Sequence, residues 1–226
     1  MRLAVSLFAA LIPFAVSAQT APSPTQIARY QGLHLAAHIG DAAEIARLAN
    51  AGADLDRRDS QGRTAVHIAA FASHEDAIGA LALAGADMNA LENAGYDAVT
   101  IAAVADDLDM LDAALNAGNR ADLVTSVYDG TALIAAAHLG HAAVVQRLIE
   151  AGAPLDHVNN LGWTALIESV VLGDGGPAHW ATAGALLDAG ADPNIPDRNG
   201  AARLALERTR GYDKMAAMIA AAGGRE

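Results

Sequence analysis

Five glycines set the terms for what this chain can become. Gly52, Gly85, Gly118, Gly152 and Gly190 fall 33, 33, 34 and 38 residues apart, inside the strings AGAD, AGAD, NAGN, AGAP and AGAD. Self-similarity at such a period marks an architecture in which one supersecondary unit recurs and buries its apolar face only against its neighbours.

A second landmark keeps step with the first. After these glycines come GRTAVHIAA from Gly62, GYDAVTIAA from Gly95, DGTALIAAA from Asp129 and GWTALIESV from Gly162, with the Thr or Asp of the string twelve residues past the glycine in most copies. Each reads as a helix start: Thr64, Thr131, Thr164 and, in the third copy, Asp97 carry the side-chain oxygen that caps orphan N–H groups of a first turn, and a short apolar run follows. After a tight turn at Gly40 or Gly140, a second run such as AVVQRLIEAG closes on a glycine suited to a left-handed helix end. Composition agrees, because a chain 53% hydrophobic but only 4% aromatic packs short helices through Ala, Leu, Ile and Val. The unit is helix, turn, helix, loop.

These residues resemble the ankyrin repeat, with its G-x-T-P-L-H-x-A-A opening, glycine turn, second helix and G-A-D close. The likeness spans about residues 27–224 and implies an all-α solenoid of about six units, near 27–58, 59–91, 92–125, 126–158, 159–196 and 197–224. His34 and His67 hold the motif histidine, for which the resemblance implies hydrogen bonding from helix to loop. Gly52, Thr64, Gly85, Thr131, Gly152, Thr164 and Gly190 hold the other structural positions. The proline after Thr is Ala in three units, and unit three has Asp97 for Thr and Thr100 for His, making it the candidate for least rigid unit.

The resemblance further implies a concave surface, formed by first helices and finger loops, that binds proteins. Tyr30, Tyr96 and Trp163 fall just before the Thr position, Tyr128 just before the motif glycine, and Phe71 just after the A-A pair, so five rings are expected to face one groove. Such rings either anchor a partner or brace the next finger. Arg63, Asp59 and Arg198 are expected on the fingers, and His138 is expected exposed beside the Gly140 turn. In unit five a five-residue insertion, GDGGP at Gly173–Pro177, is expected as a long loop whose Trp180, within the stretch 173–180, packs locally or meets a partner.

Other chemistry finds little support. His34 and His38 stand four apart as two zinc ligands would, but no acid follows the first. GDGGP lacks the Lys and Ser or Thr of a phosphate loop, and Asp106, Asp107 and Asp109 lack the alternation of a calcium loop. No cofactor or metal is expected, and no catalytic motif occurs. Cysteine is absent, and the net charge of −12 argues against nucleic acid while suiting a cationic partner.

The first residues, MRLAVSLFAALIPFAVSAQT, place Arg2 before an apolar run and then Val16-Ser17-Ala18. That is the form of a signal peptide cut after Ala18, leaving a flexible leader at 19–26 and a secreted, periplasmic monomer with no membrane insertion. The expected function is a non-catalytic scaffold or accessory protein of the bacterial envelope, since the chain is similar to exported bacterial ankyrin proteins. Two readings stand beside it: an immunity or inhibitor protein that neutralises a basic toxin or hydrolase, and an enzyme with a site near His179.

Overall fold

A cap residue opens most of the first helices. The computed structural model describes residues 19–173, 175–198 and 212–225; the expected signal peptide, and residues 199–211 of the sixth unit, lie outside the described residues. In chain order the helices are α1 (Pro24–Ile27), α2 (Leu33–Ile39), α3 (Ala42–Asn50), α4 (Ala65–Ala72), α5 (Glu75–Ala84), α6 (Ala98–Ala105), α7 (Leu108–Asn116), α8 (Ala132–Leu139), α9 (Ala142–Glu150), α10 (Ala165–Val171), α11 (Pro177–Asp188) and α12 (Asp213–Ala221). Thr131 and Thr164 accept from the N–H groups of Ile134 and Ile167 at 3.3 Å, and Asp97 accepts from that of Thr100 at 2.8 Å. The carboxylates of Asp41 and Asp107 do the same for α3 and α7. The acidic cluster Asp106, Asp107, Asp109 is thereby a turn residue, a cap and a first-turn acid.

Glycine ends the units where the chain must reverse hand. Gly85 closes α5 at φ +94°, a conformation that costs a side-chain-bearing residue strain and glycine almost none. The chain takes the same path at Gly52, Gly118, Gly152 and Gly190.

Stacking then follows from burial. The first helices α2, α4, α6, α8 and α10 pack in succession, and the second helices α3, α5, α7, α9 and α11 do likewise, with α12 against α11. Small residues such as Ala37, Ala69, Ala103, Ala136 and Ala137 bring the first helices close, while Ile45, Ile78, Leu81, Leu111, Leu148 and Leu186 fill the layer between the rows. Each such large side chain contributes about 1.5–3 kcal/mol on burial. Successive finger loops are tied by main-chain bonds, Asn93 N–H to Gln61 O, Ser126 N–H to Gly95 O and Asn160 N–H to Tyr128 O, all between 2.8 and 3.0 Å. Among the described residues there is no strand, only an isolated bridge between Thr125 and Gly130, and no helix is long and apolar enough to cross a membrane.

Two regions differ from the sequence-based picture. The stretch 173–180 is not loop throughout: Pro177, preceded by Gly176 as cap, starts α11, which runs to twelve residues and takes in the last residue of the insertion and Trp180. Proline at a first helical position needs no N–H and already has the right φ, so the helix begins where a loop was expected. The leader 19–26, expected to be flexible, lies against the stack here. Ser23 and Gln26 form a reciprocal capping box on α1, Gln19 Nε2 donates to Thr100 O at 2.9 Å, and Thr20 O accepts from Arg63 Nη1 at 3.1 Å.

Candidate partner-binding groove

Three rings converge on one cavity. Tyr96, Tyr128 and Trp163 come from three successive fingers and, with Thr100, Ile134, His138, Leu139, Leu161, Glu168 and Leu172, line a mainly apolar hollow of about 70 Å³. That is space for several water-sized groups or the end of one inserted side chain. Tyr96 is buried, with burial pushing its phenol pKa up, whereas Tyr128 and Trp163 are half-buried.

The hollow holds a charge. Glu168 is only 4% exposed and stands one helical turn inside α10. Its Oε2 accepts from His138 Nδ1 of the preceding unit at 3.0 Å, and its Oε1 from Asn159 Nδ2 of its own finger at 3.1 Å. His138, expected to be exposed, is therefore half-buried and engaged across the unit boundary. Glu168 and Asn159 were not among the expected site residues. The signal was present, since GWTALIE puts an acid where the other units place Ile68, Ile101 and Ala135.

The rest of the expected aromatic row is used elsewhere. Tyr30 is 8% exposed and donates its hydroxyl to Asp59 Oδ2 at 3.0 Å, while Phe71 packs partly buried against the core. Arg63, expected on an exposed finger, is 1% exposed, with Nε 2.9 Å and Nη2 2.8 Å from Asp59 Oδ2. Only the Nε–H donates to Asp59 Oδ2; Nη2 stands against the same oxygen and, among the described residues, makes no hydrogen bond, so the pair folds inward as a buried ion pair rather than as a two-bond fork. Burial drives the Tyr30 phenol pKa up to about 12, helped by its bond to Asp59. Burial also raises Asp59, but hydrogen bonds from the Arg63 side chain, the Arg63 and Gln61 N–H groups and Tyr30 together hold it below 3.8. Arg198 is exposed at its finger.

Trp180 sits apart from the hollow. It packs half-buried against the core from α11, with Lys214 Nζ of α12 3.8 Å from its ring centroid, and the Tyr212 hydroxyl is 3.5 Å from Gly173 O.

Most histidines spend a ring nitrogen on a neighbour's main chain. His34 Nε2 meets Arg57 O at 2.9 Å, His74 Nε2 meets His38 O at 3.0 Å, His141 Nδ1 meets Ala103 O at 2.9 Å, and His179 Nε2 meets His138 O at 3.1 Å. His67 is bound on both sides: its Nδ1 accepts from the Thr64 N–H at 3.1 Å, which fixes the proton on Nε2, and that donates to Tyr96 O at 3.1 Å. Burial lowers its pKa to about 4. In unit three the replaced positions are bonded differently: the Thr100 hydroxyl donates to the Thr125 hydroxyl at 3.1 Å, and Asn119 Nδ2 donates to Asp97 Oδ2 at 2.8 Å. Burial raises the Asp97 pKa against the opposing pull of its Thr100 and Asn119 bonds. His34 and His38 gather no further ligands, and among the described residues no group of three or more His, Cys, Asp or Glu is placed to hold a metal ion.

Comparison with known proteins gives a consistent picture. The family model described as "Ankyrin repeats (3 copies)" matches residues 10–92 and 99–197. An ankyrin repeat domain from Acinetobacter baumannii AYE superposes with a TM-score of 0.79 at 40% identity, covering 85% of this chain and 98% of that one. The ankyrin repeat domain of Bcl-3, a member of the IkappaB protein family, gives 0.78 at 28% identity over 87% of this chain and 88% of its own. In Escherichia coli (strain K12) the protein YahD, described as an ankyrin repeat protein, is 36% identical over 97 residues; the match spans 42% of this chain and about half, 48%, of that relative.

Proposed function

The chain belongs to the ankyrin repeat family, whose repeats form protein–protein interaction domains and are generally not catalytic; from that premise we propose that it is an exported, periplasmic, non-catalytic scaffold or accessory protein that holds a partner protein in the groove between its fingers and first helices. The observation that carries this reading is the hollow where Tyr96, Tyr128 and Trp163 meet, because half-buried aromatic rings around a recess bury much area with few torsions to freeze. Export rests on the charged, apolar and small-residue order of residues 1–18. N-terminal sequencing of the protein recovered from a periplasmic extract should begin at Gln19; an intact Met1 would remove the export proposal.

The groove is tested by capture of envelope proteins on the chain. Tyr128→Ala combined with Trp163→Ala is expected to keep the helical circular dichroism and to reduce retention of the captured partner by tenfold or more, as loss of two anchors of roughly 1 kcal/mol or more each implies. Full retention would place the contact outside the groove.

A second reading, an immunity or inhibitor protein against a basic toxin or hydrolase, is favoured by the net charge of −12. Capture that weakens steeply between low and physiological salt would support it over a neutral scaffold contact. An enzyme site around His179 has less behind it, since that ring bonds to the His138 carbonyl in the unit boundary. The partner we expect is a protein of cationic character, bound by a monomer, with no nucleic acid involved.

A further inference from the structure

Glu168 is unusual for what it lacks. A carboxylate offers about four acceptor positions, and among the described residues Glu168 uses two, one each for His138 Nδ1 and Asn159 Nδ2. It is 4% exposed, and taking a carboxylate out of water is costly unless charged or strong donors compensate. Among the described residues no Lys or Arg lines the hollow in which it sits, and the basic group that does, the His138 imidazole, is already bonded to Glu168 Oε2. What does line it are the rings of Tyr96, Tyr128 and Trp163, whose faces carry the negative part of their quadrupole. A recess with a carboxylate that keeps spare acceptor positions beside its His138 bond, three aromatic rings and, among the described residues, no Lys or Arg attracts positive charge, and the chain's net −12 adds a long-range pull of the same sign.

Building on the groove reading above, we propose that this recess receives the cationic side chain of an arginine or lysine from the partner, which takes a charge-assisted hydrogen bond to Glu168 and lies against Tyr128 and Trp163. The size fits, as about 70 Å³ admits the end of one such side chain and excludes a folded element. The rest of the partner lies across the fingers, where its identity is set by other contacts.

The test uses the full chain and four short peptides, Ac-Gly-Ala-X-Ala-Gly-amide with X as arginine, lysine, citrulline or leucine, followed through the Trp163 indole N–H resonance. The arginine and lysine peptides should shift that resonance in a saturable way, with affinities near the millimolar range for a single anchor and roughly tenfold above citrulline, which has the shape of arginine without its charge. Whichever of arginine and lysine binds more tightly identifies the side chain. Glu168→Gln should lower the arginine affinity to the citrulline level. If citrulline or leucine matches arginine, or if no peptide shifts the resonance, the proposal fails. The arginine–citrulline comparison needs no variant, so it stands even where Glu168→Gln disturbs folding. Failure here with loss of capture in the Tyr128 and Trp163 double variant would leave the groove and remove only the cation; failure of both would remove the groove.

Discussion

Arg63→Ala is expected to lower the unfolding free energy by about 3–5 kcal/mol, the cost of breaking a buried ion pair and leaving one charge without its partner. The Arg63 side chain is 1% exposed and that of Asp59 9%, and the same carboxylate also accepts from the Tyr30 hydroxyl. Removing the guanidinium leaves that carboxylate buried beside an aromatic ring. Arg63→Lys should recover only part of the loss, because a single ammonium cannot reach both Asp59 Oδ2, where Nε donates, and Thr20 O, where Nη1 donates. Asp59→Ala alone should be similarly harmful, and the double variant less harmful than the two losses added, since neither charge is then stranded. Urea titrations followed at 222 nm decide the matter. A loss below about 1 kcal/mol for Arg63→Ala would mean that the pair is solvated and behaves as a surface bridge.

Acid should act on this protein through His67 before it acts through Asp59. The folded His67 has a pKa of about 4 against 6.5 in the open chain, so between those values the unfolded state takes up a proton that the folded state refuses. Stability is therefore complete above pH 6.5 and declines as pH falls towards 4, by about 3 kcal/mol over the window. Asp59, whose folded pKa lies below 3.8, holds its contribution through this range and gives it up only at lower pH. Asp97 has the opposite sign: its raised pKa means that the folded state protonates first, which offsets part of the decline as pH approaches 3.8 from above. The His67 share is isolated by subtraction. In His67→Thr, which copies the residue unit three carries at Thr100, the slope between pH 6.5 and 4 should flatten, with lower stability at pH 7 from the lost bond to Tyr96 O. An unchanged slope in the variant would assign the acid response to other groups.

The repeat itself was legible because its determinants are local. A cap such as Thr131 or Thr164 acts three residues downstream, and a left-handed glycine such as Gly85 acts within its own turn, so period and helix order follow from short strings. Side-chain fates that depend on distant residues were not legible in the same way. Arg63 looks like a finger residue until Thr20 returns from 43 positions away and Asp59 folds beneath it. His138 looks like a turn residue until Glu168, thirty positions on, supplies its partner. Trp180 depends on Lys214 in the same sense. The helix start at Pro177 was different, since Gly176-Pro177 is a local signal that the surrounding glycines masked.

The fold of the leader onto the groove face alters how such a stack comes apart. Units that touch only their neighbours behave as a row of dominoes, each free to melt at its own end of the row. The bond from Gln19 to Thr100 spans 81 positions and that from Arg63 to Thr20 spans 43, so the leader straps the first three units into a single block. Those three units are then expected to open together rather than one repeat at a time.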